Sequence, residues 1–273
     1  MVINMTSIGI EIGSITITWY SICILVGVIL ATILINSEAE YNDITPPFAT
    51  NLVFWCMIFG IIGARAYYVL FNLDYYMNNP INIIKIWEGG LAIHGGIIAG
   101  LITLLIYCKK YRVNSLKMLD IAAPAVLLAQ AIGRWGNFFN KEAYGSMVTR
   151  TFLEDLHLPE FIINGMHING NYYHPTFLYE SILCLIGFFA LVGIRTTKSS
   201  KVGNTFGLYL VWYGVIRFFI ESLRTDSLML GSLKMAQIVS IIMIIAGTII
   251  FAISKKKGKP YDETKGVKNG FIY

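Results

Sequence analysis

Residues 133–145 read Gly-Arg-Trp-Gly-Asn-Phe-Phe-Asn-Lys-Glu-Ala-Tyr-Gly and follow directly on the apolar stretch 121–132. Arg134, Asn137, Asn140 and Glu142 are expensive at the end of a membrane span, and ionisable groups at that depth are functional candidates. A guanidinium can hold a phosphate with a two-pronged fork, which makes Arg134 a candidate anion clamp. The amides and Glu142 would orient that arginine or take ligand hydroxyls. An internal Arg134–Glu142 ion pair is the bland alternative. A second group, Tyr213, Arg217, Glu221 and Arg224, recurs at i, i+4, i+8 and i+11 and so shares one helix face. Two arginines against one glutamate leave positive charge in excess, which suits an anion; arginines snorkelling to the membrane surface are the alternative.

Two histidine motifs accompany these groups. His94-Gly95-Gly96 pairs a possible proton acceptor near neutral pH with glycines that let a ligand or backbone approach closely. The alternative is a histidine bonded to a backbone carbonyl between helices. Gly96 and Gly100 add a small-xxx-small spacing of the kind that packs helices. His174-Pro175-Thr176-Phe177-Leu178-Tyr179-Glu180 reads as a helix start, with Thr176 as a candidate cap. Glu180 lies in an apolar run and needs a partner, for which either arginine group qualifies. Tyr20 is interfacial belt or site lining, the belt being the commoner case. Arg65 calls for a carboxylate or a phosphate.

The elements that position these residues follow from composition. Of 273 residues, 56% are hydrophobic and 14% charged, against about 25% charged in soluble domains. A bilayer-crossing helix needs about 20 apolar residues, and roughly seven stretches qualify: 15–36, 48–70, 91–108, 119–135, 176–195, 203–222 and 235–253. The first has no basic n-region and no small-residue cleavage site, so a retained span is expected. The fold class is an all-α polytopic membrane protein, residues 1–254, followed by a basic cytoplasmic tail, 255–273. The segment 136–175 is polar and should form a small extracytoplasmic lobe with some β structure between spans four and five. Its Asn164-Gly165 and Asn169-Gly170 pairs favour tight turns, and Tyr172-Tyr173 a strand. Residues after Ser254 are expected to be loosely ordered.

Segment 1–14 has no Lys or Arg, whereas loop 109–118, loop 195–202 and the tail are basic. Basic loops stay cytoplasmic, so the N-terminus is expected outside and the C-terminus inside. The ends carrying His94, Arg134, His174 and Arg217 then all face outward. The tail suits topology and anionic membrane lipids. Nucleic acid is excluded as a partner, because no aromatic-interleaved basic surface accompanies the charge. Cys23, Cys56, Cys108 and Cys184 lie within or beside apolar stretches with no CxxC pair, implying neither disulfide nor metal.

At these residues the chain resembles the bacterial prolipoprotein diacylglyceryl transferases. Residues 133–145 match the family's Gly-Arg-x-Gly-Asn-Phe-x-Asn-x-Glu-x-x-Gly signature throughout, and His94 to Gly96, His174 to Glu180 and Tyr213 to Arg224 match three further motifs. The likeness spans about 20–240. It departs at Ala236, where the family usually has Gly, and lacks a proline shortly after Gln237, which bears on the seventh helix.

The resemblance implies transfer of the diacylglyceryl group of phosphatidylglycerol to the lipobox cysteine thiol of prolipoprotein signal peptides, releasing glycerol phosphate. It implies a multi-pass protein of the bacterial cytoplasmic (inner) membrane with its active site toward the outer face. His94, Arg134 and Arg217 would be catalytic; Arg134, Asn137, Asn140, Glu142, Gly145, Tyr20, Tyr213, Glu221 and Arg224 would bind phosphatidylglycerol. No metal or other cofactor is expected. The alternative function class is a lipid- or anion-binding transporter or channel, which would show inverted repeats or broken helices.

Overall fold

The computed structural model describes residues 3–5, 9–12, 15–197, 199–225, 227, 229–231 and 233–263. Among these, seven helices are long and apolar enough to cross a bilayer, matching the seven expected stretches. They are α1 (Trp19–Tyr41), α2 (Pro46–Leu70), α4 (Ile93–Lys110), α5 (Ser115–Asn140), α8 (Thr176–Arg195), α9 (Asn204–Leu223) and α10 (Met235–Lys257). Short helices α3 (Leu73–Asn78), α6 (Arg150–Asp155) and α7 (Glu160–Gly165) lie between them. Helix α5 runs to Asn140, so the first five residues assigned to the lobe are its last turns. Residues 15–18, expected inside the first span, are extended instead: β1 (Ile3–Met5), β2 (Gly9–Ile12) and β3 (Ile15–Thr18) form an antiparallel sheet before α1. The Thr18 hydroxyl then accepts from the Ser21 amide at 3.2 Å, satisfying one of the donors that a helix start leaves orphaned.

The described chain divides into two compact units, one of Ile35–Met118 and one of Met1–Leu34 with Leu119–Thr264. In the first, α2 and α4 pack backbone to backbone. A Cβ on Gly63 would stand 2.7 Å from the Gly95 carbonyl oxygen, and one on Gly96 would stand 3.3 Å from that of Gly60. The small-residue spacing thus packs helices, with Cys56 Sγ donating to the Gly100 carbonyl at 3.5 Å.

Arg65 on α2 has neither of its expected partners. It is buried, and its guanidinium donates to backbone carbonyls of Asn82, Ile83 (2.8 Å), Lys85 (3.4 Å), Gly89 (2.7 Å) and Gly90 (2.9 Å). The Tyr76 ring covers it, with 5.2 Å from Cζ to the ring centroid. Five donors in a fixed fork can gather scattered carbonyls, so this arginine organises the connection from α2 to α4. Gly90 fits there because its φ is 73° and a Cβ would stand 2.6 Å from Arg65 Nη1.

In the second unit, Leu127 and Ala131 of α5 pack with Cys184 and Leu191 of α8, flanked by Leu208, Trp212 and Tyr213 of α9. Helices α9 and α10 approach closely: a Cβ on Gly247 would stand 2.6 Å from the Gly207 carbonyl oxygen. Helix α9 is capped from α5. The buried Asp120 carboxylate accepts from the Gly203 amide at 2.5 Å and the Phe206 amide at 2.7 Å, so a charge faces the positive end of the helix. Helix α10 runs through Ala236 and Gln237, so the departure at these positions leaves the seventh helix intact. The chain beyond Ser254 starts as the last turn of α10 and then docks, with the Tyr261 amide donating to the Ser200 carbonyl at 2.9 Å and Tyr261 buried. The described part of the expected loose tail is therefore ordered up to there; residues 264–273 lie outside the described residues.

In the lobe Leu153, Ile162, Ile163 and Met166 pack with Phe177 of α8 in one core. Its strands β4 (Met147–Val148), β5 (His167–Ile168) and β6 (Asn171–Tyr173) form a sheet in the order β4-β6-β5. Asn169-Gly170 is the two-residue turn joining β5 to β6, with φ of 49° and 83°, as a primed hairpin turn requires. Asn164-Gly165 is no turn: it closes α7, with Gly165 against the Phe138 ring. Tyr172-Tyr173 is strand as expected.

Candidate active site

Three of the sequence motifs meet at one glycine. Gly145 donates its amide to the His174 carbonyl at 3.1 Å and forms an antiparallel bridge with Arg224. A Cβ on Gly145 would stand 2.6 Å from His174 Cβ, 3.1 Å from Thr176 Cγ2 and 3.2 Å from the Leu223 carbonyl oxygen. The glycine is therefore required by close approach of the ends of α5, α8 and α9. Thr176 does not cap α8. Its buried hydroxyl donates to the Ala143 carbonyl at 2.5 Å, tying the start of α8 to the end of the signature. Lys141 and Ala143 have φ of 52° and 58°, conformations that cost a non-glycine residue on the order of 1–2 kcal/mol. Such backbone strain clusters at functional sites.

Inside this junction lies a cluster of ionised side chains. Arg134 of α5 pairs with Glu180 of α8, Nη2 to Oε1 at 2.8 Å. Arg217 of α9 pairs with the other oxygen of the same carboxylate, Nη1 to Oε2 at 3.3 Å, and with Glu221 at 2.7 Å. The Tyr213 hydroxyl accepts from Arg134 Nη2 at 3.3 Å and donates to Glu180 Oε1 at 3.1 Å. Side-chain exposure is 20% for Arg134 and 17% for Arg217, against 2% for Glu180 and 3% for Glu221. The carboxylates are thus more deeply buried than the arginines they hold.

Several expectations change here. Arg134 does not pair with Glu142. Asn137 stands between them, its Oδ1 accepting from Arg134 at 3.2 Å and its Nδ2 donating to Glu142 at 3.0 Å. The expected excess of positive charge is not found: Arg134 and Arg217 face Glu180 and Glu221, two cations against two carboxylates. Arg217 is no snorkelling surface group. Arg224 leaves the shared helix face: it is the C-cap of α9, in an extended conformation with ψ of 142°. There Lys234 Nζ donates to the carbonyls of Glu221 at 2.7 Å and Arg224 at 2.9 Å, a cation on the negative end of a helix. Asn140 is exposed and makes no side-chain hydrogen bond among the described residues. Tyr20 packs against the signature on α5, since a Cβ on Gly136 would stand 2.6 Å from its ring.

Sequence reasoning asked for a partner for Glu180 but left it out of the site. A lone acid in an apolar helix was the signal. The sharing of its two oxygens was invisible, because Arg134 and Arg217 lie on different helices far apart in sequence.

The second histidine motif touches this junction directly. His174 Nδ1 lies 3.3 Å from the Tyr179 hydroxyl, and its ring meets Phe152 edge-on at 4.8 Å. Burial pushes this imidazole below the ordinary histidine value, because removal from water disfavours the charged form. In the other unit, His94 is the second residue of α4, half-buried, its ring centroid 6.3 Å from that of Tyr67. Its side chain makes no hydrogen bond among the described residues, to a carbonyl of the helix pair or otherwise.

Two arginines thus share one buried carboxylate beside a signature held by close backbone contacts. The family model described as "Prolipoprotein diacylglyceryl transferase" matches residues 7–253. A Staphylococcus haemolyticus protein named phosphatidylglycerol–prolipoprotein diacylglyceryl transferase is 50% identical over 251 residues, 92% of this chain and 88% of that protein. Proteins of the same name from Staphylococcus saprophyticus and Staphylococcus aureus (strain Newman) are 47% and 48% identical, covering 92% and 93% of this chain and 90% of each relative. With the signature, the seven apolar helices and nearly the whole length in agreement, the chain belongs to the prolipoprotein diacylglyceryl transferase family.

Proposed function

We propose that this protein transfers the diacylglyceryl group of phosphatidylglycerol to the cysteine thiol of a prolipoprotein signal peptide. The new bond joins sulfur to the glycerol carbon of the diacylglyceryl group. The bond that breaks joins that carbon to the phosphate oxygen, which keeps the electron pair and leaves as glycerol phosphate. The observation that carries this reading is the pair of arginines held on one buried carboxylate within a family matched along its length.

The roles follow from charge. A phosphodiester with one negative charge becomes a phosphomonoester whose second ionisation lies near pH ~6. Negative charge therefore grows on the leaving group, and Arg134 and Arg217 stabilise it where water is scarce. A free thiol ionises near pH ~8.5, so it needs a proton acceptor; His94, half-buried at the start of α4, takes that role in our reading. Asn137 and Glu142 orient Arg134, and Glu221 orients Arg217. Tyr20, Tyr213, Asn140, Gly145 and Arg224 line or shape the phosphatidylglycerol site. The basic loops support an outside N-terminus and a cytoplasmic C-terminus, and with them a reacting end at the outer face of the inner membrane.

Purified protein incubated with phosphatidylglycerol and a peptide carrying the lipobox cysteine should release glycerol phosphate and add the diacylglyceryl mass to that cysteine. A peptide that stays unmodified while an anion crosses the membrane would overturn the transferase reading. The transporter alternative has no support from the family, and each of the seven spanning helices is continuous.

A further inference from the structure

We infer that Glu180 is the positioning residue that sets the spacing and aim of both phosphate-stabilising arginines. The inference rests on the proposed role of Arg134 and Arg217, and deepens it by naming what holds them. Three observations meet on this carboxylate. Its two oxygens are divided, Oε1 to Arg134 at 2.8 Å and Oε2 to Arg217 at 3.3 Å. It is 1% exposed, so it is held away from any lipid and acts on the ligand through the guanidiniums. The helix that carries it is pinned at both ends of the turn concerned. Thr176 donates to the Ala143 carbonyl at 2.5 Å and Ser181 to the Ala131 carbonyl at 2.9 Å, both buried.

On the opposite side, Trp212 Nε1 donates to the Leu183 carbonyl at 3.0 Å, and the Tyr213 hydroxyl donates to Glu180 itself. Helix α8 is thereby fixed to the arginine-bearing helices on either side. Two guanidiniums repel each other at this range, and without an anion between them they would turn apart into other rotamers. A carboxylate is the side chain that can accept from both at once, one oxygen each. An amide cannot, since one of its two heads is a donor facing a cation. Glu221 holds Arg217 alone, at 2.7 Å, so it cannot set the distance between the two.

The test measures kcat and KM for phosphatidylglycerol in Glu180→Gln and Glu180→Asp, with folded protein quantified by thermal unfolding in detergent. Glu180→Gln should lower kcat about 100-fold, the size of losing one transition-state donor. Glu180→Asp keeps the charge but is one methylene too short to reach both arginines, and should lose about 10-fold or more, as misplacements near 1 Å do. KM should stay within about threefold, since the affected interaction grows only as the leaving group gains charge. Ser181→Ala, which leaves every charge in place, should lower kcat severalfold without a change in KM.

Folded Glu180 variants with wild-type kcat would overturn the inference. So would activity that falls only in step with the folded fraction, or a rise in KM at constant kcat. If neither Glu180 variant folds, an unchanged kcat in Ser181→Ala decides against it. Arg134→Met and Arg217→Met run in parallel separate the two readings: turnover retained there refutes the arginine role itself, whatever Glu180 does.

Discussion

Arg217 is the residue whose loss should separate stability from chemistry most sharply. Replacing it with Met keeps comparable bulk and removes two ion pairs, one to Glu180 at 3.3 Å and one to Glu221 at 2.7 Å. Glu180 still has Arg134 at 2.8 Å, whereas Glu221 is left with its side chain 3% exposed and no cation on it. Removing one partner of a buried pair costs about 3–5 kcal/mol, most of it the stranded charge. At about 2–4 °C per kcal/mol for a chain of this size, the unfolding temperature in detergent should fall on the order of 10 °C. The double variant Arg217→Met, Glu221→Gln has no stranded charge and should recover most of that loss. Turnover should fall roughly 100- to 1,000-fold in the single variant, as when one transition-state donor is lost, and stay down in the double. Arg134→Met should destabilise less, because Glu180 keeps Arg217. A double variant no more stable than the single would refute the dependence of Glu221 on Arg217. Recovered turnover in the double would show that the charge of Arg217 is not used in the reaction.

Three further outcomes are expected. Arg65→Ala strands five backbone carbonyls at about 1–3 kcal/mol for each that stays unsatisfied, so limited proteolysis should cut within 79–90 much faster than in wild type. His94→Gln should reduce peptide modification at neutral pH by roughly 100-fold or more, the range of general-base contributions; most activity retained would move thiolate formation to the arginines. His174 has its imidazole depressed by burial, so the unfolded chain takes up its proton first. Its contribution is present above the ordinary histidine value near pH ~6.5 and is lost as pH falls through the lower folded value. Thermal unfolding between pH 5 and 8, at roughly half-unit steps, should show a shallower acid decline in His174→Gln than in wild type.

Much of this fold is legible because a bilayer imposes a length. About 20 apolar residues are needed for each crossing, and the seven estimated stretches correspond to the seven long helices. The Asn169-Gly170 hairpin was legible for a similar reason: positive φ at two successive residues admits few residue types. The misplaced pieces have physical causes too. Residues 15–18, Ile-Thr-Ile-Thr, are all β-branched and uncharged, fit for strand or span, and only pairing with Gly9–Ile12 decides between them. Asn164-Gly165 carries the same turn chemistry as Asn169-Gly170, but there Gly165 is used for its missing side chain, beneath Phe138.

The candidate site divides along the same line. Residue types and spacing within one segment identify Arg134, Asn137, Glu142, Tyr213, Arg217 and Glu221 as a chemical set, because local order is all a helix face or a signature requires. Arg217–Glu221 is an i, i+4 pair and was foreseeable. Pairing between segments was not. The ion-pair alternative for Arg134 named Glu142, eight residues away, whereas Arg134 is found on Glu180 across a helix boundary. Arg65 was expected to seek an anion and is satisfied by backbone carbonyls, a partner that every residue carries and no sequence pattern advertises. Sequence alone thus determined the spans, the motifs and the family, all set by local chemistry and bilayer thickness. The tertiary structure decided which charge neutralises which, because an ion pair is chosen by distance in space once the helices have packed.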